Sequence, residues 1–308
     1  MVRMNDPVRM RTLLLLLSLN LLTIVGFSQN LERYNWYFGS SAQAVRFNRT
    51  TTLPSVVTKA IPFGAGGSST ASDPLNANLL FYTDGSRVYD AKHTVMPNGT
   101  GLTANTVGNQ PTAICPVPGQ NRKYFIFTNT ANFPAAGAVS VSVVDLNLFG
   151  NAPFPVPSLG DVESKNVAVP GLGGRAEAMI LVPHTNGIDF WLLTQPINSI
   201  SYSATLINAA SYTGTYTTTT TAGIGPFPIS AANFAFHPKS GGKVAVSPQN
   251  TSTDASIIDF NRTTGTFTFD RLILNSGLAT TTNQSIYDIE WSLTGDYLYL
   301  SRHGEAGI

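Results

Sequence analysis

Short apolar runs separated by polar turns fill the chain after residue 30. The runs are rich in Val, Ile, Phe and Tyr, as at 79–83, 124–128 and 190–194, and Gly, Pro and Asn stand between them. This pattern is typical of β-strands joined by tight turns, and no segment keeps the apolar period of a helix. The sequence therefore predicts an all-β fold.

One strand–turn–strand pattern occurs twice in the sequence, at 233–247 (NFAFHPKSGGKVAVS) and at 288–301 (DIEWSLTGDYLYLS), and fainter copies precede it. The residues just before the turn of each copy are Val117, Val182, Phe236 and Trp291. A repeat of about 40–50 residues is typical of a four-stranded propeller blade, and longer loops lengthen it. The spacing predicts a β-propeller with four to five antiparallel blades, the last of them incomplete. A β-sandwich is the alternative.

The chain begins with a positively charged and then apolar segment. Arginines precede an apolar run over 13–25, and small residues stand just before Gln29. This order is typical of a secretory signal, and the run is too short for a spanning helix. We predict a signal peptide over 1–28, cleaved near Ser28, and a propeller domain over 29–308 in a secreted or cell-surface protein without a membrane span.

The composition narrows the classes of function. The whole chain has a formal net charge of +1, and charged residues make up 11% of it, against about 25% in ordinary soluble proteins. This balance does not favour nucleic-acid binding. Cys115 is the only cysteine, so an internal disulfide is excluded and the core must hold the fold. The Thr-rich segment 211–223 is expected to be an exposed loop.

Several segments resemble the propeller module of Bacteroidota gliding-motility-associated surface proteins. The motifs that carry the likeness are NWYFG at 35–39, LLFYTDG at 79–85, VYD at 88–90, MPNG at 96–99 and HTNG at 184–187. The resemblance covers residues 35–301, and it implies display at the cell surface and export of the full-length protein by the type IX secretion machinery. Members of this family continue into further blades and domains, so we expect the sequence to be part of a larger protein.

The resulting functional prediction is an adhesin-like recognition or scaffolding propeller without catalytic activity, which binds an extracellular protein or a glycan through its loops. No catalytic, cofactor-binding or metal-binding residue and no cofactor is predicted. One alternative is a metal-dependent propeller hydrolase or lactonase, for which the acidic candidates are Asp84, Glu177, Asp288 and Glu290. The other is a non-functional fragment of a multidomain surface protein.

Overall fold

The computed structural model describes residues 34–303 except 49, 52, 155, 227, 230, 249–253, 275–284 and 293. The predicted signal peptide and its cleavage position lie outside these residues. Within them, the chain consists of strands with one short 3-10 helix (Ala209–Thr213). This part of the chain contains no apolar helix of the length that a bilayer requires.

The strands are numbered in the order in which they occur along the chain. They are β1 (Asn35–Trp36), β2 (Gln43–Phe47), β3 (Pro54–Thr58), β4 (Ser69–Ser72), β5 (Leu79–Thr83), β6 (Arg87–Asp90), β7 (Val95–Thr100), β8 (Thr112–Pro116), β9 (Lys123–Asn129), β10 (Gly137–Asp145), β11 (Asp161–Pro183), β12 (Phe190–Pro196), β13 (Tyr202–Ile207), β14 (Thr217–Thr221), β15 (Asn233–Phe236), β16 (Lys243–Ser247), β17 (Ala255–Asn261), β18 (Thr266–Ile273), β19 (Ser285–Trp291) and β20 (Leu298–His303).

These strands form antiparallel sheets that correspond to successive blades. Blade 1 is β1–β3, blade 2 is β4–β7, blade 5 is β15–β18, and blade 6 is the β19–β20 hairpin. Blades 3 and 4 belong to one sheet of seven strands, β8 to β14. The long strand β11 joins them, because its first part pairs with β10 while its last part, from Arg175 onward, pairs with β12.

The blades are arranged around a shared channel. The first strands of successive blades contact one another, in the order β1, β4, β8, β11, β15 and β19. Two stacked layers of strands would not give this succession, so the predicted propeller is confirmed and the β-sandwich alternative is wrong. Among the described residues, no strand pairs blade 6 with blade 1.

The hydrophobic core lies between the faces of neighbouring blades. Because successive side chains of a strand point to opposite faces, each blade contributes to two such layers. Between blades 4 and 5, the buried layer includes Trp191, Phe234 and Phe260. Between blades 5 and 6, Ile286 and Ile289 pack on small side chains of blade 5. Each large side chain that is fully buried stabilises the fold by about 1.5–3 kcal/mol.

The Thr-rich segment differs from its prediction as an exposed loop. Residues Thr217–Thr221 form β14, the outer strand of blade 4. The Oγ1 atoms of Thr218 and Thr205 are 2.8 Å apart across the strand pair. Threonine is β-branched and fits a pleated strand, and cross-strand hydroxyl pairs of this kind stabilise a sheet edge. The run of threonines at 217–221 therefore forms a β-strand and not an exposed loop.

Candidate active site

A cavity of about 380 Å³ opens at one end of the channel. This is the end at which the first strand of each blade begins. The cavity lies between the loop before β4, the loop before β8, the start of β15, and β19. Among the described residues, its polar side chains are Asn109, Gln110, Asn233, Tyr287, Asp288 and Glu290. A cavity of this size, with a few converging polar groups, is the usual form of a small-molecule site.

Glycines allow two loops of the cavity wall to lie against each other. The N–H of Gly66 donates to the carbonyl of Thr106, and the N–H of Gly67 donates to that of Gly108, both at 2.9 Å. A Cβ atom at position 67 would lie 2.3 Å from the carbonyl oxygen of Asn109. Because no side chain fits there, the sequence needs glycine for this close approach.

A bulge in β19 presents Tyr287 and Asp288 to the cavity. The pairing of β19 with β20 shifts register between Ile286 and Asp288, and Tyr287 and Asp288 are both exposed. The carbonyl of Tyr287 accepts hydrogen bonds from the Asn233 Nδ2 and the Ser247 Oγ, each at 3.1 Å. Bulges of this kind re-aim side chains next to functional sites. Blade 5 therefore fixes the bulged segment of blade 6.

Asp288 and Glu290 supply the carboxyl groups among the described residues of the cavity lining. The N–H of Ile289 donates to the Asp288 Oδ1 at 2.8 Å, and the N–H of Trp291 donates to the Glu290 Oε1 at 3.0 Å. Although the Asp288 side chain is exposed to the cavity, the cavity walls partly desolvate its carboxyl group and raise its pKa, and the hydrogen bond from Ile289 only partly opposes this effect. Asp288 is therefore easier to protonate than an ordinary aspartate.

Asn109 is held at the opposite wall by a buried carboxylate. Its Nδ2 donates to the Glu177 Oε2 at 2.7 Å, and the N–H of Phe133 donates to the Glu177 Oε1 at 2.9 Å. The Tyr287 hydroxyl donates to the Asn109 Oδ1 at 3.3 Å, across the channel mouth. Glu177 thus positions Asn109, which in turn positions the phenol ring of Tyr287.

Gln110 joins three blades at the floor of the cavity. Its Oε1 accepts the N–H of Phe234 at 2.9 Å and that of Met179 at 3.3 Å, and its Nε2 donates to the carbonyl of Phe234 at 2.8 Å. These bonds connect the start of blade 3 to the first strands of blades 4 and 5. They make the cavity floor a fixed part of the scaffold.

The structure brings together two of the four acidic candidates that the sequence suggested. Asp84 is buried and caps a turn, since its Oδ1 accepts the N–H groups of Ser86 and Arg87. Glu177 lies behind the cavity and supports Asn109. Asp288 and Glu290 line the cavity together.

The other polar residues of the cavity were missed at the sequence level. They are Asn109, Gln110, Asn233 and Tyr287. One signal was present in the sequence, because the two copies of the repeat place Asn233 and Asp288 at the same position.

The described residues of the cavity do not supply the ligand set of a zinc site. Among the described residues, no three His, Cys, Asp or Glu side chains lie together as such a site would require. Of the described lining residues, Asp288 and Glu290 belong to these residue types. A zinc ion usually takes three or four protein ligands.

No protein-family model and no curated protein matches the chain. Solved structures with a similar fold include a prolyl endopeptidase, with a TM-score of 0.35 and 11% identity, for which the match covers 97% of this chain and 44% of that one. A soluble aldose sugar dehydrogenase from Escherichia coli and a glucose dehydrogenase give TM-scores of 0.29 and 0.30, each at 11% identity over 76% of this chain and 92% of theirs.

These comparisons correct the prediction of an adhesin-like propeller without catalytic activity, because all three solved structures are enzymes. The structure supplies a physical reason for the correction: two carboxyl groups meet amide and phenol groups in one cavity, an arrangement that the sequence did not reveal. The likeness does not identify a reaction for this chain. Any activity has to be inferred from the cavity itself.

Proposed function

We propose that this protein is a hydrolase that acts on a small uncharged substrate at the mouth of the propeller channel. The observation that carries the proposal is the placement of Asp288 and Glu290, which lie two residues apart on β19 and line the same cavity. Successive odd or even residues of a strand point to the same face, so the two carboxyl groups project side by side. Paired carboxyl groups of this kind perform general acid and base catalysis in many hydrolytic sites.

The two carboxyl groups take different roles. Asp288, whose pKa is raised, serves as the general acid that protonates the leaving group. Glu290 serves as the general base that removes a proton from the attacking water. The described residues of the lining include no Ser, Cys or His to act as a nucleophile, which favours direct attack by water.

The charge of the cavity limits its substrates. The described residues of its lining include Asp288 and Glu290 but no Lys or Arg. Like charges repel strongly in a partly desolvated site, so phosphate esters and carboxylates are disfavoured. The amide of Asn109 and the phenol of Tyr287 suit a neutral substrate that carries hydroxyl or carbonyl groups.

Hydrolysis of chromogenic substrates tests the proposal. The folded protein is assayed between pH 4 and pH 8 with p-nitrophenyl esters, p-nitrophenyl glycosides and p-nitrophenyl phosphate. We expect turnover of a neutral substrate and none of the phosphate. Glu290→Gln should lower kcat by about 10²–10⁴-fold, the usual contribution of a general base, and Asp288→Asn should cause a similar loss on substrates with a poor leaving group, where a general acid is needed. Addition of EDTA should leave the rate unchanged.

Asp259→Asn is the matched control, because Asp259 lies on β17 in blade 5 and pairs with Lys243 at 2.9 Å, outside the cavity lining. It should keep full activity. The proposal is wrong if the folded protein hydrolyses none of the substrates, or if Asp288→Asn and Glu290→Gln match the control.

Export is a further part of the proposal. It is supported by the order of charged, apolar and small residues over 1–28 and by the resemblance to type IX-exported propellers. A neutral glycan outside the cell would be a suitable partner for the cavity. Amino-terminal sequencing of the protein recovered from the culture medium or the cell surface should begin at Gln29, and recovery of the intact protein in the cytoplasm would contradict export.

A further inference from the structure

An arginine without an acidic partner is buried between blades 3 and 4. Arg175 is only 6% exposed, and none of the ion pairs among the described residues includes it. Burial lowers its pKa, and no acidic group in the described part of the chain raises it. A guanidinium group keeps its proton in proteins, and a buried charge without a counter-charge strongly destabilises a fold. A negative charge beside Arg175 would therefore stabilise this part of the propeller.

The hydrogen bonds of Arg175 show where its guanidinium group lies. Nη1 donates to the Ser203 Oγ at 3.0 Å, and Nη2 donates to the carbonyl of Gly171 at 2.6 Å. Ser203 belongs to β13 and Arg175 to β11, and β12 lies between these two strands in the sheet. The side chain of Arg175 therefore crosses β12 on one face of blade 4.

The strand register identifies the β12 residues on this path. They are Pro196, which pairs with Arg175, and Thr194, which pairs with Ser203. Residues that pair across strands point to the same face, with Cβ atoms about 4.5–5.5 Å apart. Leu192, two residues before Thr194, packs in the core layer between blades 3 and 4. The Thr194 hydroxyl therefore faces blade 3, next to the serine that holds the guanidinium group.

Two buried polar atoms at this place have no hydrogen-bond partner among the described residues. They are the Nε of Arg175 and the Oγ1 of Thr194, whose side chain is completely buried. The Ser203 Oγ is already engaged, since it also lies 2.9 Å from the Thr220 Oγ1. The Nε–H and the Thr194 hydroxyl can each donate one hydrogen bond, and buried donors are almost always paired. A small anion would accept both bonds and would also supply the missing charge.

We propose that the Arg175 Nε and the Thr194 hydroxyl bind a small monovalent anion such as chloride between blades 3 and 4. A divalent oxyanion such as phosphate suits the place less well, because it brings a second charge and more acceptor atoms than two donors can satisfy. Neither Arg175 nor Thr194 is among the described residues that line the channel cavities. The anion site is therefore separate from the proposed active site and does not depend on the hydrolase function.

Thermal unfolding in two sodium salts tests the anion site. The protein is melted in mixtures of sodium chloride and sodium gluconate at constant ionic strength, because gluconate is monovalent but too large for a buried position. We expect the melting temperature to rise by at least about 3 °C between about 1 mM and about 200 mM chloride, since a ligand that binds only the folded chain stabilises it by mass action. A melting temperature that is the same throughout the series would overturn the inference.

Two variants assign the effect to this site. Arg175→Met removes the charge from the buried position, so the melting temperature should no longer depend on chloride. Thr194→Val is nearly isosteric and removes one donor, so the chloride concentration that gives half of the effect should rise at least about fivefold. Arg262→Met is the matched control, because Arg262 also donates to a backbone carbonyl, that of Pro183 at 2.7 Å, but is partly exposed. It should keep the chloride dependence of the unchanged protein. A chloride dependence that persists in Arg175→Met would overturn the assignment.

Crystals of the unchanged protein grown in sodium bromide give a second measurement that needs no variant. Anomalous scattering should place a bromide ion within hydrogen-bond distance of the Arg175 Nε and the Thr194 Oγ1. A water molecule at that position, without anomalous signal, would overturn the inference.

Discussion

The hairpins β15–β16 and β19–β20 are two copies of one sequence unit, and they differ at the position where the first strand meets the channel. In the first copy this position is Asn233, which is buried and donates from its Nδ2 to the carbonyl of Tyr287 in the next blade, at 3.1 Å. In the second copy it is Asp288, which is exposed in the cavity. One copy connects two blades, and the other presents a carboxyl group.

Blade 1 shows which of the two arrangements belongs to the scaffold. Asn35 also stands at the start of a first strand, and its Nδ2 donates to Ala77 O at 2.8 Å and to Ser72 Oγ at 2.9 Å in blade 2. An amide can donate across blades, whereas an ionised carboxylate only accepts. Asparagine at this position therefore stabilises the stack of blades. Asp288 has no such role, because it is exposed in the cavity, and its departure from the repeat coincides with the proposed active site.

The largest effect is expected when Asp288 is changed to the residue of the other copies. Asp288→Asn removes the proton donor and should lower kcat by about 10²–10⁴-fold on substrates with poor leaving groups. The fold should remain intact, because asparagine is nearly isosteric. Steady-state kinetics and a thermal melt followed by circular dichroism measure the two quantities. An Asp288→Asn protein with kcat within threefold of the unchanged protein would refute the view that Asp288 departs from the repeat because it serves catalysis.

The reverse exchange should damage the scaffold. Asn233→Asp removes the donor to Tyr287 O and places a carboxylate in a buried position against that oxygen. We expect a loss of about 2–3 kcal/mol in the free energy of unfolding, the range for a buried polar group left without its partner. Urea denaturation measures this change.

Asn261→Asp is the matched control for this exchange. The Asn261 Oδ1 accepts the N–H groups of Thr263 and Thr264 in an exposed turn, a role that aspartate fills equally well. Its effect should stay within about 0.5 kcal/mol. Equal unfolding free energies for Asn233→Asp and Asn261→Asp would show that Asn233 does not stabilise the blade contact.

A smaller loss is expected at the same position in blade 1. Asn35→Ala removes both donated hydrogen bonds but introduces no charge, so the free energy of unfolding should fall by about 1–2 kcal/mol. The Ala77 carbonyl would lose its partner. Urea denaturation of Asn35→Ala and Asn233→Asp under the same conditions ranks the two positions by their loss in the free energy of unfolding. A larger loss at Asn35 than at Asn233 would contradict the view that the buried charge dominates the second case.

The sequence predicted the blades better than the cavity, for a physical reason. Strand and turn signals are local: the pattern over 233–247 predicts a hairpin, and the structure has β15 and β16 there. The strand β11 was not foreseen, because two blades share one continuous strand. The cavity also depends on distant pairs, such as Gln110 with Phe234, 124 residues apart, and Tyr287 with Asn109, 178 residues apart. No local period predicts such contacts, although the acidic residues of β19 were identifiable as candidates.

The smallest expected effect concerns the pH dependence of stability. The folded-state pKa of Asp288 lies above its value in the unfolded chain, because the cavity walls disfavour the ionised form. Its contribution to stability is therefore fully present below the unfolded pKa of about 3.9 and is lost as the pH rises through the folded pKa. Asp288→Asn has no such titration, so it should gain on the unchanged protein between pH 4 and pH 7. The gain should stay below about 1 kcal/mol, since the side chain is exposed and water screens its charge. Urea denaturation of both proteins across this range measures the difference. A relative loss for Asp288→Asn as the pH rises would mean that the fold stabilises the ionised carboxylate of Asp288.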